Sequence, residues 1–282
     1  MRGQVSVATS PGCNPSPQSL IPSPMTPDRL LAFDNVLNFR DFGGYDTPHG
    51  KIARGKLYRS ANFAEATDAD IAKLEALGVR FLVDLRRPME RTTDPNKWPG
   101  ENVRAIVNDE CAAEGLPPHL IALMQSDLSP ASVREYMLSI YREFASDPRH
   151  VHLYRSWFEE LGQGGAGVIH CAAGKDRTGL GCALTLFALG VDEDTVFADY
   201  AYTNVAMDID KRLPGIKARM EERLARELDP ESLRPMLGVE PAYLHTALDA
   251  INARYGSADA YLTDVLGVDE NAREKLRRNL LG

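Results

Sequence analysis

The chain of 282 residues has 44% apolar side chains, enough to bury a core in one large domain or two small ones. Its formal net charge of -8 excludes a broad nucleic-acid-binding face and leaves any anionic substrate to be drawn by a local cationic site. Four cysteines, Cys13, Cys111, Cys171 and Cys182, show neither paired metal-ligand spacing nor a dense disulfide pattern, which suits a reducing compartment.

The first stretch, Met1 to Pro27, holds one charged residue, Arg2, and six prolines from Pro11 onward. Residues 1–28 are therefore predicted to be a disordered leader, followed by one folded domain over 29–282. No continuous apolar h-region marks a signal peptide. The longest apolar run, Gly179 to Val191, is shorter than the roughly 20 residues that span a bilayer. The expectation is a cytoplasmic protein without a transmembrane segment, with export by a route lacking a signal peptide left open.

From Leu30 onward, short apolar runs alternate with helical stretches. Lys56 to Arg59 reads as a strand entered through Gly55. Thr67 is placed to cap a helix with an acidic first turn, Ile71, Leu74 and Leu77 recur on one face, and Gly78 stops it. Val79 to Leu85 reads as a buried strand, and Asn102 to Val107 and Ala166 to Ile169 as two more. Strand, helix, strand at this spacing predicts an α/β fold with a central parallel sheet flanked by helices. Toward the C-terminus, Ile216, Met220, Leu224 and Leu228 form a narrow apolar stripe. Leu244, Leu248, Ile251 and Tyr255 form another, closed by Gly256, with Ser257 capping a further helix.

The chemistry concentrates in His170-Cys171-Ala172-Ala173-Gly174-Lys175-Asp176-Arg177-Thr178-Gly179. A chain leaving a buried strand at Ile169 and starting a helix near Thr178 must turn sharply. With small residues at Ala172, Ala173 and Gly174, the backbone can curl into a bowl whose N–H groups point inward, an anion nest at a helix N-terminus. Arg177 returns to that bowl with a planar fork that matches two phosphate oxygens. The same field favours thiolate over thiol at Cys171, the candidate nucleophile for a cysteinyl-phosphate. Thr178 is placed to hydrogen-bond the departing thiolate, Lys175 adds a second cation beside the bowl, and His170 orders the loop from behind. A bare Cys-x5-Arg string often arises by chance, with Cys171 a small buried hydrophobe and Arg177 a surface charge. Here the flanks and the strand–helix context all agree.

With its Gly-Lys-Asp-Arg ending, this loop resembles that of the protein tyrosine phosphatase superfamily, in particular its bacterial branch of secreted mycobacterial type. Asn38-Phe39-Arg40-Asp41-Phe42-Gly43-Gly44-Tyr45, Leu57-Tyr58-Arg59-Ser60 and Val83-Asp84-Leu85-Arg86 are similar to blocks of that branch, and the resemblance runs from about Leu37 to the end. It implies hydrolysis of phosphotyrosine, with phosphoserine, phosphothreonine or phosphoinositides as further substrates, and no metal or other cofactor. It also implies a helical lid, for which 208–238 is the natural segment.

The superfamily's usual general acid, an aspartate after Trp-Pro, is absent here, because Trp98-Pro99 is followed by Gly100 and Trp98 reads as packing. Three carboxylates stay open for that role: Asp176 inside the loop, Asp109 after the strand ending near Val107, and Asp84, which has an equally plain use in bracing Arg86. Asp176 is favoured modestly, because a bound phosphate dianion favours its protonated form. Arg40 and Asp41 are read as an internal ion pair bracing the loop. Cys182, eleven residues past Cys171, is too far along a helix to form a disulfide with it; Cys111 is the more plausible redox partner, but the expectation is that Cys171 has none. Three other functions compete: an inositol-phosphate or phosphoinositide phosphatase, a rhodanese-like sulfurtransferase, and a silent phosphopeptide-binding module. Retention of both Cys171 and Arg177 weighs against the last.

Overall fold

The computed structural model describes residues 29–109, 126–224 and 226–282. The leader and Cys111 lie outside these residues. In chain order the strands are β1 (Arg40–Asp41), β2 (Asp46–Thr47), β3 (Gly50–Lys51), β4 (Leu57–Ser60), β5 (Val79–Asp84), β6 (Arg104–Ile106) and β7 (Ala166–His170). β2 and β3 pair in a separate hairpin, and the other five form one sheet in the order β1-β4-β7-β5-β6. β4, β7, β5 and β6 run parallel, and β1 is an antiparallel edge. The fold is α/β, as the alternation of strand and helix signals predicts.

Each central strand sends successive side chains to two separate cores, as the two-residue period of a strand demands. Phe81 and Val83 of β5, Leu57 of β4 and Ile169 of β7 face one core, with Tyr154, Trp157, Leu180 and Leu184. Leu82, Tyr58 and Val168 face the other, with Phe39, Phe63, Leu74 and Trp98. Side chains of this size each contribute roughly 1.5–3 kcal/mol on full burial. At Gly167 a Cβ would come within 2.3 Å of the Phe81 ring and 2.8 Å of Trp157, so the missing side chain sets how closely helix and sheet approach.

α1 (Asp68–Ala76) starts at the expected cap: Thr67 accepts from the Asp70 N–H while Asp70 reaches back, a capping box. α2 (Pro88–Thr93) follows β5. Between β6 and β7 lie α3 (Pro130–Phe144) and α4 (Pro148–Gln163), helices that the strand-centred sequence reading passes over. Their starts are marked nonetheless, by Ser129-Pro130 and Asp147-Pro148, each a capping side chain followed by proline at the first helical position. After β7 come α5 (Asp176–Ala188), α6 (Glu193–Ala201), α7 (Thr203–Ala206), α8 (Ile209–Leu224), α9 (Pro230–Leu237) and α10 (Pro241–Tyr255). A short turn of helix capped by Ser257 then leads to the C-terminal helix Glu270–Leu280. The apolar stripe expected to run on to Leu228 is interrupted, because α8 ends at Leu224 and Leu228 packs instead with Leu213 and Leu233. No described helix is long and apolar enough to cross a membrane.

Arg40 and Asp41 do not pair with each other. Neighbours on a strand point to opposite faces, so Asp41 accepts from the Gly43 and Gly55 N–H groups, at 2.7 Å each, while Arg40 turns to Asp199 and Thr203.

Candidate active site

The loop leaving β7 can be read from where its carbonyls go. The Ala172 oxygen accepts from the Asn62 backbone N–H and Nδ2, both at 3.1 Å. The Ala173 oxygen accepts from Asn38 Nδ2 at 3.2 Å. The Gly174 oxygen accepts from Asn38 Nδ2 at 2.8 Å and from Arg59 Nη2 at 3.0 Å. With its carbonyls held outward, the loop turns its N–H groups the other way, and none from Ala172 to Lys175 finds a partner among the described residues. These donors and the free N–H groups of the first turn of α5 make an anion bowl, with buried Cys171 at its start.

Two backbone positions make that curl possible. Asn38 sits at φ 56°, in the left-handed region that asparagine tolerates, and its amide thereby reaches two loop carbonyls. Gly174 has φ 66°, and a Cβ there would lie 2.1 Å from the Ser60 oxygen, so only glycine fits against the end of β4.

Arg177 is held by a residue that the sequence reading missed. Its Nη1 and Nη2 donate to the two carboxylate oxygens of Glu90 on α2, at 2.7 Å each, and Nη1 also donates to the Leu85 carbonyl at 3.1 Å. The Nε edge of the guanidinium makes no bond to a described residue and stays available for an anion. Burial works to raise the Glu90 pKa, but Arg177 holds it down, from the usual 4.5 to about 2. Because the folded value is the lower one, the pair's stabilisation is present above about pH 4.5 and lost as pH falls toward 2. Glu90 is thus a positioning residue for Arg177. Glu90→Gln, which keeps the shape and loses the charge, is expected to cut kcat/KM roughly tenfold or more and to lower the melting temperature above about pH 4.5 but not near pH 2, where the wild-type pair is already lost. Steady-state kinetics beside thermal melts check this. A signal was present: Arg87-Pro88-Met89-Glu90 has proline at the first helical position and glutamate at the third, a helix start directly after a strand.

The three candidate acids separate clearly. Asp176 begins α5, where its Oδ1 accepts from the Tyr141 hydroxyl at 2.8 Å and lies 3.3 Å from Lys175 Nζ. Tyr141 is in turn 2.7 Å from the Tyr200 hydroxyl. Oδ2 has no such partner. Asp84, 2% exposed, takes three bonds from the Arg86 guanidinium and lies 3.5 Å from His170 Nε2. Burial works to raise its pKa, but His170 and Arg86 drive it far below the usual carboxylate range. Asp109 lies outside the loop, its side chain 70% exposed and paired with Arg91. Lys175 Nζ does not reach into the bowl: it donates to the Met236 carbonyl and, at 3.1 Å, to that of Gly238, at the end of α9. His170 sits behind the loop with Nδ1 3.0 Å from the Cys171 oxygen and its ring edge-on to Phe63. Thr178 Oγ1 is buried with no hydrogen-bond partner among the described residues. Cys182 is fully buried, and burial pushes its thiol up to about 12. No group of three or more His, Cys, Asp or Glu side chains among the described residues could hold a metal ion.

A loop of this kind at the carboxyl edge of a parallel sheet defines a class of α/β enzymes that bind and process anions. Residues 31–282 match the tyrosine phosphatase family. The chain is 34% identical over 245 residues to a Cupriavidus necator protein that carries the name of a tyrosine-protein phosphatase, with 85% of each chain covered. It is 30% identical over 277 residues to the triple specificity protein phosphatase PtpB of Mycobacterium tuberculosis, covering 87% of this chain and 96% of that one. A tyrosine-protein phosphatase of Nostoc commune is 28% identical over 236 residues, covering 81% of this chain and 75% of its own. The chain belongs to the tyrosine phosphatase family and is a protein-tyrosine phosphatase.

Proposed function

We propose that the protein hydrolyses phosphotyrosine through a cysteinyl-phosphate formed on Cys171. The observation that carries this reading is the bowl itself, whose Ala172, Ala173 and Gly174 carbonyls are taken from outside while its N–H groups and the Nε edge of Arg177 have no partner among the described residues. In the first step the Cys171 thiolate attacks phosphorus as the bond to the tyrosine oxygen breaks. Asp176 delivers a proton to that oxygen from Oδ2, its Oδ1 being fixed by Tyr141. In the second step water attacks the phosphocysteine, Asp176 takes its proton, and the thiolate leaves toward the unpartnered Thr178 hydroxyl. Asp84 is a brace for Arg86 and His170 in this scheme, and Asp109 lies outside it. Because the loop supplies both nucleophile and cation, activity is expected to persist in EDTA and to be lost to vanadate.

Leaving-group dependence tests the acid. Asp176→Asn is expected to lower kcat by roughly hundredfold on phosphotyrosine, and far less on an activated aryl ester whose oxide leaves unaided. Equal losses on both substrates, or the same dependence in Asp109→Asn instead, would remove Asp176 from this role.

The segment 208–238 is proposed as a lid, supported by the tie from Lys175 to the end of α9 and by its own apolar cluster of Leu213, Leu228 and Leu233. A range extending to phosphoserine and phosphothreonine is supported by the relative named for triple specificity. A phosphoinositide as main substrate has less support, because the ammonium that would serve a second phosphate is committed to backbone carbonyls.

A further inference from the structure

Behind the phosphate loop lies a cluster of buried charge that the scheme above does not use. Arg40 and Arg59 are both 0% exposed, and Asp199 is 1% exposed. Arg59 Nη1 donates to Asp199 Oδ2 at 3.1 Å, and Arg40 Nε lies 3.9 Å from Asp199 Oδ1. Tyr45 donates its hydroxyl to Asp199 Oδ1 at 3.1 Å and stays neutral, since burial and then Asp199 push its pKa far up. Two guanidiniums therefore share one carboxylate, and among the described residues neither has another. An uncompensated positive charge in a dry interior is costly unless something negative arrives to meet it.

The direction of that charge is set by geometry. Arg59 turns its other terminal nitrogen toward the loop and donates to the Gly174 carbonyl at 3.0 Å, from the side opposite the bowl. Arg40 sits farther back, on Asn38, the Asp199 carbonyl and the Thr203 hydroxyl. At Gly179 an added Cβ would lie 3.5 Å from Arg59 Nη2, so the helix that follows the loop also packs on this guanidinium.

We propose that Arg59, anchored by Asp199 and backed by Arg40, is a positioning residue that fixes the Gly174 turn of the bowl and supplies a permanent positive charge beneath it, favouring the Cys171 thiolate and a bound phosphate. This rests on the reading of Cys171 and its loop given above. Burial works to lower the Arg59 pKa, yet the Asp199 carboxylate hydrogen-bonded to it and the nearby Cys171 sulfur work the other way, and the pKa is raised. Attraction between two charges is mutual, so a Cys171 thiolate that favours the charged Arg59 is itself favoured by it. The other titratable groups near Cys171 are Arg177 and Cys182 on α5, Tyr154 on α4, and the adjoining His170, which lies 3.5 Å from the Asp84 carboxylate. Cys182 and Tyr154 are neutral at ordinary pH, and Arg177 is paired with Glu90, which leaves Arg59 as the cation with the least compensation.

The test reads vanadate inhibition and the rate of Cys171 alkylation by iodoacetamide at mildly acidic pH, in full-length protein checked for folding by circular dichroism. Arg59→Met is expected to weaken vanadate and slow alkylation by roughly tenfold each, on a Coulomb interaction across several ångströms of protein. Arg59→Lys should recover most of both losses. Asp199→Asn removes the one carboxylate that these guanidiniums share among the described residues, so it should move both readouts the other way, with tighter vanadate and faster alkylation. A purely structural role predicts losses in all three variants, and that result would overturn the proposal. So would wild-type vanadate affinity in Arg59→Met. Should Asp199→Asn fail to fold, Arg40→Met removes a donor to Asn38 but leaves the bond from Arg59 to the Gly174 carbonyl in place, and should weaken vanadate by a smaller factor than Arg59→Met. No change there overturns the electrostatic part. Failure of the underlying reading looks different, because wild-type protein would then ignore vanadate and Cys171→Ser would remain active.

Discussion

Cys171→Ser is expected to lower kcat/KM on an aryl phosphate by roughly ten-thousand-fold or more, the scale on which loss of a covalent nucleophile is felt. The reason is ionisation rather than shape. Serine is close to isosteric with cysteine, but the bowl's donors and Arg177 cannot bring a hydroxyl to its alkoxide, and in the proposed scheme Asp176 serves the leaving oxygen instead. The N–H groups do not involve the cysteine side chain, so the variant should still fold and still bind phosphate esters. Kinetics, thermal melting and binding of an unhydrolysed phosphotyrosine peptide separate these effects. More than about a hundredth of wild-type activity, on protein free of contaminating phosphatase, would rule out Cys171 as nucleophile.

Arg177→Lys should cost roughly hundred- to thousandfold in kcat/KM, comparable to removing a preorganised donor from a developing oxyanion. The expectation follows from which edge of the guanidinium is occupied. Glu90 takes the two terminal nitrogens at 2.7 Å each and the Leu85 carbonyl takes one more bond, so the side edge presents Nε to the phosphate. A lysine ammonium is one point with three donors and cannot hold Glu90 and Leu85 while offering a planar edge to an anion. Glu90 would then draw the ammonium away from the bowl. Arg177→Lys combined with Glu90→Gln should therefore lose less than the two single losses added together. Additive losses in that cycle would mean that Glu90 does not act through Arg177.

Much of the scaffold was legible because it rests on short-range chemistry. Thr67 and Asp70 cap each other across three residues, the β5 run is buried on both faces, and the bowl is built within a few consecutive residues. The starts of α3 and α4 are marked by Ser129-Pro130 and Asp147-Pro148, but a local cap does not say which face of a helix is buried.

The residues of Cys171 to Thr178 by themselves carry the proposed nucleophile and clamp and the sharp turn that brings them together, since spacing along one chain segment sets those distances within a few bonds. What only the tertiary structure decided is how those groups are held and charged. Glu90 is 87 residues from Arg177, and Asp199 is 140 from Arg59. Asp84, Asp109 and Asp176 are the same chemical group, told apart only by whether Arg86, Arg91 or Tyr141 lies beside them. Lys175 reads as a phosphate ligand until α9 folds across it and presents two carbonyls. Charge compensation and desolvation depend on distances through space, which packing of the sheet and its helices creates, and no periodicity along the chain encodes them.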